Sequence, residues 1–259
     1  MIIGISGRIG SGKDTVGSII QYLTYGADKA NISYDDWNGQ PVWGTKNNPF
    51  HKSTWEIKKY AGKLKQMASL LTGIPVEDFE DQEFKKSYLG AEWGTVQDVP
   101  LTSIPPFADM QFNVLMSVRE LLQKLGTEAI RDGLHPNAWV NALFADYKAK
   151  WVPTGDSVAE EDVSLEKEYP NWIITDMRFP NEMEAVVKRG GITVKVVRGC
   201  SECGGIGYHK LSCSKQYEKQ HPSETAIDDA EFDYEIINDG SIEDLIEKVR
   251  QILITEKII

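Results

Sequence analysis

A glycine-rich segment near the amino terminus carries the residues of this chain that are best suited to chemistry. It reads Gly7-Arg8-Ile9-Gly10-Ser11-Gly12-Lys13-Asp14-Thr15. Glycines let a backbone fold tightly around a phosphate group with several N–H groups pointing inward, and a lysine adds a mobile positive charge. The alternative is a glycine-rich turn with a surface lysine. The segment follows a β-branched run at 2–5 and precedes apolar residues at helical spacing, which is the context that phosphate binding requires.

The residue after Lys13 departs from the usual pattern of a phosphate-binding loop. A Ser or Thr normally stands there and its hydroxyl meets Mg²⁺, whereas this chain has Asp14 followed by Thr15. Asp14 would either contact the water shell of the metal or cap the following helix. Asp14 and Thr15 are therefore candidate magnesium ligands.

Charged side chains also follow two predicted buried strands. Asp176 comes directly after the strand at 172–175, Arg178 shares that edge, and Arg198 follows the strand at 192–197. Ligands of open α/β sheets bind at the carboxyl ends of the strands. We therefore expect Asp176 to hold a metal, and Arg178 and Arg198 to contact phosphate groups. The alternatives are a turn aspartate and a salt bridge from Arg178 to Glu182.

Basic and polar residues also lie on or near two predicted helices. Arg119 and Gln123 are one turn apart and would face the same pocket, with Arg131 just beyond. Lys63 and Lys65 lie on the helix predicted at 61–71. These residues form either an anion-binding face or an ordinary solvated helix surface.

All three cysteines fall in one short window, together with a histidine. Cys200, Cys203, His209 and Cys213 have a spacing close to that of a zinc knuckle, with the histidine displaced by one residue. Such a set would bind a structural zinc ion, because four protein ligands leave no open position. The alternative is an exposed loop with incidental thiols.

The composition is that of an ordinary globular protein. Of 259 residues, 41% are hydrophobic and 26% charged, and the formal net charge is −11. A binding surface for duplex nucleic acid usually needs a basic face, so this balance disfavours that role. Few cysteines, no signal-peptide pattern and no long apolar run predict a soluble cytoplasmic protein without a membrane partner.

Predicted strands alternate with predicted helices along the chain. This order predicts an α/β fold with a doubly wound, mainly parallel sheet and flanking helices. We expect a single domain over 1–259, with loops at 26–53, 90–112 and 152–170, a helical region at about 58–150 and a Cys-rich insertion at 199–220. The capping pairs Ser117/Glu120 and Ser241/Asp244 mark the starts of two helices.

Taken together, these blocks resemble the bacteriophage deoxynucleoside monophosphate kinase family. The matching segments run in family order and cover most of the chain. They are Ser6-Gly7, Ser11-Gly12-Lys13-Asp14-Thr15, Ser117-Val118-Arg119-Glu120-Leu121-Leu122-Gln123-Lys124-Leu125-Gly126-Thr127-Glu128, Ala138-Trp139-Val140, Leu143-Phe144-Ala145, Asp176-Met177-Arg178, Glu182-Met183-Glu184-Ala185, Val196-Val197-Arg198, Ser223-Glu224 and Asn238-Asp239-Gly240-Ser241.

The resemblance implies a P-loop, adenylate-kinase-like core that uses ATP and Mg²⁺ and phosphorylates a deoxynucleoside 5′-monophosphate. It also implies that Arg119, Gln123, Arg131 and Arg178 serve the substrate or the transferred phosphate. We expect the helical region at about 58–150 to bind the acceptor, and the candidates from both lines of reasoning fall into three groups. Catalytic candidates are Lys13, Arg119, Arg131, Asp176 and Arg178; ATP-binding candidates are the loop at 7–15 and Arg198; acceptor-binding candidates are Lys63, Lys65, Arg119, Gln123, Arg131, Arg178, Glu182, Ser223 and Glu224.

Two other functions stay open at this point. One is another small-molecule kinase on the same core, such as a dephospho-coenzyme A kinase. The other is a nucleotide-regulated module that binds nucleic acid. The oligomeric state is also open, with a homodimer as one option, and the residues do not identify the accepted base.

Overall fold

A computed structural model describes residues 1–37, 39, 55–98, 111–154, 164–199 and 226–259. The chain divides into two compact units: unit 1 comprises 1–60 and 143–259, and unit 2 comprises 61–142. No helix in the described part of the chain combines the length and the hydropathy that a membrane span requires.

The described elements are numbered in chain order. The strands are β1 (Ile2–Ser6), β2 (Trp55–Lys58), β3 (Thr95–Asp98), β4 (Gln111–Val114), β5 (Lys150–Thr154), β6 (Ser164–Glu168), β7 (Asn171–Ile174), β8 (Ile192–Val197) and β9 (Tyr234–Ile237). The α-helices are α1 (Lys13–Thr24), α2 (Tyr60–Thr72), α3 (Val118–Gln123), α4 (Ala138–Phe144), α5 (Pro180–Val187) and α6 (Ile242–Thr255). A π-helical segment, Lys124–Asp132, directly follows α3. Short 3₁₀ helices lie at Val76–Glu80, Phe84–Lys86 and Ala91–Trp93.

Unit 1 is built on a five-stranded sheet with the order β2-β7-β1-β8-β9, in which every neighbouring pair is parallel. The central strand β1 is buried along its whole length, which explains its run of isoleucines. Because the strands are parallel, their carboxyl ends lie at one edge of the sheet. The α/β fold predicted from the sequence is confirmed.

Helices cover both faces of this sheet. Ile3 and Ile5 belong to a core cluster with residues of α1 and α6. Gly4, between them, points to the opposite face, where an added Cβ would lie 3.0 Å from Met177 and 3.1 Å from Val186 of α5. The two layers therefore sandwich the strand that leads into the glycine-rich segment.

Unit 2 is mainly helical and has its own small core. Phe79, in a 3₁₀ turn, is fully buried and clusters with Ala68 of α2 and with Val118 and Leu121 of α3. The π-helical segment packs closely on α2, because an added Cβ on Gly126 would lie 2.9 Å from Leu64. β3 and β4 form a separate antiparallel pair.

Several predictions on local structure need correction. The segment 152–170, expected to be without regular structure, contains most of the antiparallel hairpin of β5 and β6. The helix predicted from Ser117 is α-helical only to Gln123 and continues as a π-helix. Ser117 caps it as predicted, since its Oγ accepts from the Glu120 amide at 3.1 Å. The Glu120 carboxylate pairs with Lys124 at 3.3 Å.

Candidate functional site

The glycine-rich segment joins the end of β1 to the start of α1. Gly10 and Gly12 have φ angles of 77° and 97°, a left-handed backbone that glycine adopts without strain. Within the segment, the Ser11 amide donates to the carbonyl of Arg8 at 3.1 Å. In the described part of the chain, no backbone carbonyl accepts from the amides of Gly10, Gly12, Asp14 or Thr15. Such N–H groups at and just before the start of a helix can bind an anion.

Lys13 is the first residue of α1, and only 8% of it is exposed. Its Nζ lies 3.4 Å from the carbonyl oxygen of Arg8, so the ammonium group is folded back against the loop. The Ser11 hydroxyl in the same loop is buried and has no hydrogen-bond partner among the residues that the structure describes. The loop thus combines a positive charge, oriented amides and an unsatisfied hydroxyl.

Asp14 is held by residues that follow two neighbouring strands. Its Oδ1 accepts from the hydroxyl of Thr175, after β7, at 2.8 Å and lies 3.0 Å from Nζ of Lys59, after β2. Partial burial alone would raise the pKa of the Asp14 carboxyl. The hydrogen bonds from Lys59 and Thr175 and the charges of Lys59 and Lys13 outweigh burial, and the pKa lies below its ordinary value. Asp14 is therefore an anion that contacts side chains of adjacent strand ends.

Asp176 and Glu182 are tied to backbone groups near the same edge. Asp176 Oδ1 accepts from the amide of Tyr60, the first residue of α2, at 2.8 Å. Glu182 is 2% exposed, and its Oε2 accepts from the amides of Arg178 at 2.8 Å and Phe179 at 3.2 Å. Glu182 thereby caps α5. Glu182 thus contacts the backbone amide of Arg178.

Further contacts come from the opposite half of the sheet. The Arg8 guanidinium pairs with Asp228 at 2.7 Å, and Lys195 of β8 donates to the Asp228 carbonyl at 2.7 Å. The side chain of Asn238, directly after β9, donates to the Ser11 carbonyl at 2.8 Å. Arg198, directly after β8, is exposed. Residues after β2, β7 and β9 thus surround the loop that follows β1.

Comparison with known proteins identifies the family of this chain. The profile described as deoxynucleotide monophosphate kinase matches residues 96–249, which is more than half of the chain. The chain belongs to the deoxynucleotide monophosphate kinase family. The resemblance inferred from the sequence blocks is thus confirmed. The matched range begins after the glycine-rich loop, so the geometry of that loop is independent support.

Three similar proteins come from bacteriophages. The chain is 27% identical to the deoxynucleotide monophosphate kinase of Enterobacteria phage T4 over 53% of its own length, and 26% identical to that of Escherichia phage RB69 over 54%. These alignments span less than half of the two relatives, 45% and 46%. The deoxynucleoside-5′-monophosphate kinase of Escherichia phage T5 is 22% identical, over 92% of this chain and 89% of the relative.

The acceptor-binding candidates of unit 2 lie on helical surfaces. Arg119 and Gln123 are exposed on α3, and Arg119 Nη2 lies 3.4 Å from Oε1 of Gln82. Arg131 is half-buried in the π-helical segment. Lys65 differs from the others, since it is 7% exposed and paired with Glu80. This ion pair joins two residues of unit 2. Lys63 is half-buried.

Other predicted residues lie outside the described part of the chain. They are the zinc candidates Cys200, Cys203, His209 and Cys213 and the acceptor candidates Ser223 and Glu224. The zinc hypothesis therefore stays a prediction. Across residues 1–37, 55–98, 111–154, 164–199 and 226–259, no three His, Cys, Asp or Glu side chains are grouped so as to hold a metal ion.

Lys59, Thr175 and Asn238 were not among the site candidates predicted from the sequence, although Asn238 lies in one of the segments that carry the family resemblance. Each of them directly follows a parallel strand, as Asp176 nearly does. This position is a usable signal, because carboxyl ends of parallel strands share one edge. Which of these residues reaches the loop depends on the order of the strands.

Proposed function

We propose that this chain transfers the γ-phosphoryl group of ATP to a deoxynucleoside 5′-monophosphate. An oxygen of the acceptor phosphate bonds to the γ-phosphorus while the bond from that phosphorus to the β–γ bridging oxygen breaks. The products are ADP and a deoxynucleoside diphosphate. The observation that carries the proposal is the loop between β1 and α1 in a chain of this family. Its Lys13 is buried, and the amides of Gly10, Gly12, Asp14 and Thr15 donate to no backbone carbonyl of the described residues.

The donor side of the reaction uses the loop and its surroundings. The amides of Gly10, Gly12, Asp14 and Thr15 bind phosphate oxygens, and Lys13 neutralises charge on the β- and γ-phosphates. Arg198 contacts the nucleotide from the end of β8. No general base is required, because the acceptor already presents a phosphate oxyanion.

Magnesium accompanies ATP in this proposal. Asp14, Thr15 and Asp176 would hold it, and oxygen donors of this kind suit a hard cation. The lowered pKa of Asp14 fits this assignment, since an ionised carboxylate is what a cation binds. Asp14 Oδ1 already accepts from Thr175 and contacts Lys59, which favours a role through the water shell of the metal. When bound, the ion neutralises charge on the transferred phosphoryl group.

The acceptor side uses the arginines and polar residues predicted from the sequence. Arginine side chains bind phosphate groups with paired N–H bonds and stabilise the charge that spreads over the transferred group. Arg119, Arg131 and Arg178 would do so here, and the other proposed acceptor contacts are Gln123, Lys63, Lys65, Glu182, Ser223 and Glu224.

An assay of ADP release tests the proposal. ATP and Mg²⁺ are combined with the purified chain and each deoxy- and ribonucleoside monophosphate in turn, with dephospho-coenzyme A as a further acceptor. We expect turnover with one or more deoxynucleoside monophosphates and formation of the matching diphosphate on an ion-exchange column. Turnover restricted to dephospho-coenzyme A, or ADP release independent of any acceptor, would reject it.

Two finer proposals rest on the sequence. A structural zinc ion on Cys200, Cys203, His209 and Cys213 predicts about one zinc per chain in metal analysis. Cys203→Ser would then lower the zinc content, and a preparation free of zinc would reject the site. A homodimer predicts twice the chain mass in sedimentation analysis.

A further inference from the structure

Asn238 contacts the glycine-rich loop, although the two are far apart in the sequence. It follows β9 and is the first residue of the Asn238-Asp239-Gly240-Ser241 turn. Its side-chain Nδ2 donates to the carbonyl oxygen of Ser11 at 2.8 Å. A residue 227 positions away in the sequence thus contacts the backbone of the loop.

The contact fixes a particular peptide group. The Ser11 carbonyl and the Gly12 amide belong to the same peptide bond, and in a trans peptide the C=O and N–H point in opposite directions. When Asn238 holds the Ser11 oxygen on one side, the Gly12 N–H must point away from Asn238. In the described residues that N–H donates to no backbone carbonyl, so it is free to meet an anion.

The fit between Asn238 and the loop is close. An added Cβ on Gly12 would lie 2.4 Å from Asn238 Nδ2, much nearer than real side chains approach. Gly12 also has a left-handed φ of 97°. Both observations require glycine at this position, one because of the backbone conformation and the other because of Asn238.

The turn that carries Asn238 is itself held in place. The Asn238 amide donates to the Val197 carbonyl of β8 at 2.7 Å. Lys248 of α6 donates to the Ile237 carbonyl at 2.6 Å and to Asp239 Oδ1 at 2.8 Å. The side chain of Asn238 therefore extends from a fixed backbone, which makes it an effective brace for the loop.

We propose that Asn238 is a positioning residue for the donor nucleotide, acting through the Ser11–Gly12 peptide group. This inference rests on the proposed function, because it assumes that the loop binds the phosphates of ATP. It names a residue at the end of the edge strand as a determinant of donor affinity. Acceptor affinity should depend on it far less, since the hydrogen bonds that the described residues show for Asn238 are with the Ser11 carbonyl of the loop and the Val197 carbonyl of β8.

Asn238→Asp is the sharpest test, because it preserves the shape of the side chain and replaces the donating NH₂ with an oxygen that repels the Ser11 carbonyl. We expect the Kd for ATP, measured calorimetrically with Mg²⁺ present, to rise roughly tenfold or more, and the KM for the acceptor to change less than about twofold. Asn238→Ala should raise the Kd for ATP by roughly threefold to tenfold, since it removes the bond without adding repulsion.

The matched control is Asp239→Asn, the next residue of the same turn. It removes the negative charge beside Lys248 but keeps an amide oxygen that can accept from Lys248, so the turn stays anchored through this bond and the bond from Lys248 to the Ile237 carbonyl. The bond between Asn238 and Ser11 is left in place. This variant should bind ATP as the unmodified chain does. If Asn238→Asp fails to fold by circular dichroism, Asn238→Ala carries the test.

Three outcomes would overturn the inference. They are an unchanged Kd for ATP in the Asn238 variants, equal changes in donor and acceptor constants, and an equal loss of ATP affinity in Asp239→Asn. The proposed function is judged separately, by turnover of the unmodified chain. A chain that binds ATP but phosphorylates no acceptor would reject that function and still allow the role of Asn238 to be measured.

Discussion

The two compact units place their candidate residues in different ways. In unit 1 the loop at 7–15 follows the central strand of a parallel sheet, and side chains from neighbouring strand ends hold it. Asp14 contacts Thr175 and Lys59, and the Ser11 carbonyl accepts from Asn238. In unit 2 Arg119 and Gln123 stand on an exposed helix surface.

This difference has a physical consequence for binding. The groups of unit 1 that we propose to bind phosphate are largely backbone amides whose directions are set by the fold, so their order is already present without a ligand. The arginines of unit 2 are long side chains that lose rotamer freedom when they bind. We therefore expect substitutions in unit 1 to have larger effects on phosphoryl transfer than substitutions on the surface of unit 2.

The largest expected effect is on the free energy of unfolding, and it tests whether the two units unfold separately. Phe79→Ala empties the core of unit 2 and should lower the free energy of unfolding by about 3–5 kcal/mol. Hydrogen exchange should then rise in 61–142 but not in β1 or β7. Ile173→Ala in β7, expected to lower the same quantity by about 2–5 kcal/mol, is the counterpart in unit 1. Uniform exchange across the chain in both variants would show that the units unfold together.

The next effect is on catalysis by unit 1. Lys13→Ala should leave the fold intact by circular dichroism and lower kcat roughly 100- to 1,000-fold, because the loop loses its charge beside the transferred phosphoryl group. The measurement is ADP release at saturating acceptor. Lys29→Ala, an exposed lysine in the turn after α1, is the control and should keep full activity. An unaltered rate in Lys13→Ala would remove Lys13 from the mechanism.

A smaller effect is expected from the exposed arginine of unit 2. Arg119→Ala should raise the KM for the acceptor roughly tenfold through loss of a charge-assisted bond to phosphate, and leave the KM for ATP unchanged. Lys124→Ala, which removes a helix-surface ion pair with Glu120, serves as the control. An effect of Arg119→Ala on the ATP constant alone would place this residue with the donor and contradict the assignment.

The smallest expected effect compares the two helix caps. Ser241 and Asp244 form a complete capping box at α6, with bonds of 3.2 Å and 2.9 Å, whereas Ser117 caps α3 through its hydroxyl. Ser241→Ala should lower the free energy of unfolding by about 1 kcal/mol, and Ser117→Ala by about 0.5–1 kcal/mol. Thermal unfolding measures both.

Some features of the fold could be predicted because they depend on nearby residues. The limits of β8 and β9 and the cap at Ser241 follow from apolar runs and capping residues. The hairpin of β5 and β6 was missed because its described side chains are largely exposed, so no buried alternation marks it. The π-helical segment was missed because its apolar spacing continues that of α3. The burial of Phe79 was not predicted, because this residue lies in a short 3₁₀ helix and belongs to no apolar pattern with the period of a helix or a strand.

The glycine loop, its lysine and the following helix were determined by the sequence alone, because such a turn depends on residues within a few positions of one another. The partners of that loop were decided by tertiary structure. Lys59, Thr175 and Asn238 meet it only because β2, β7 and β9 take particular places beside β1 and β8. Strand order is set by packing of the whole sheet, and no local pattern records it. The residue types of the loop are thus set by a short stretch of sequence, whereas the orientation of the loop depends on residues distant in the chain.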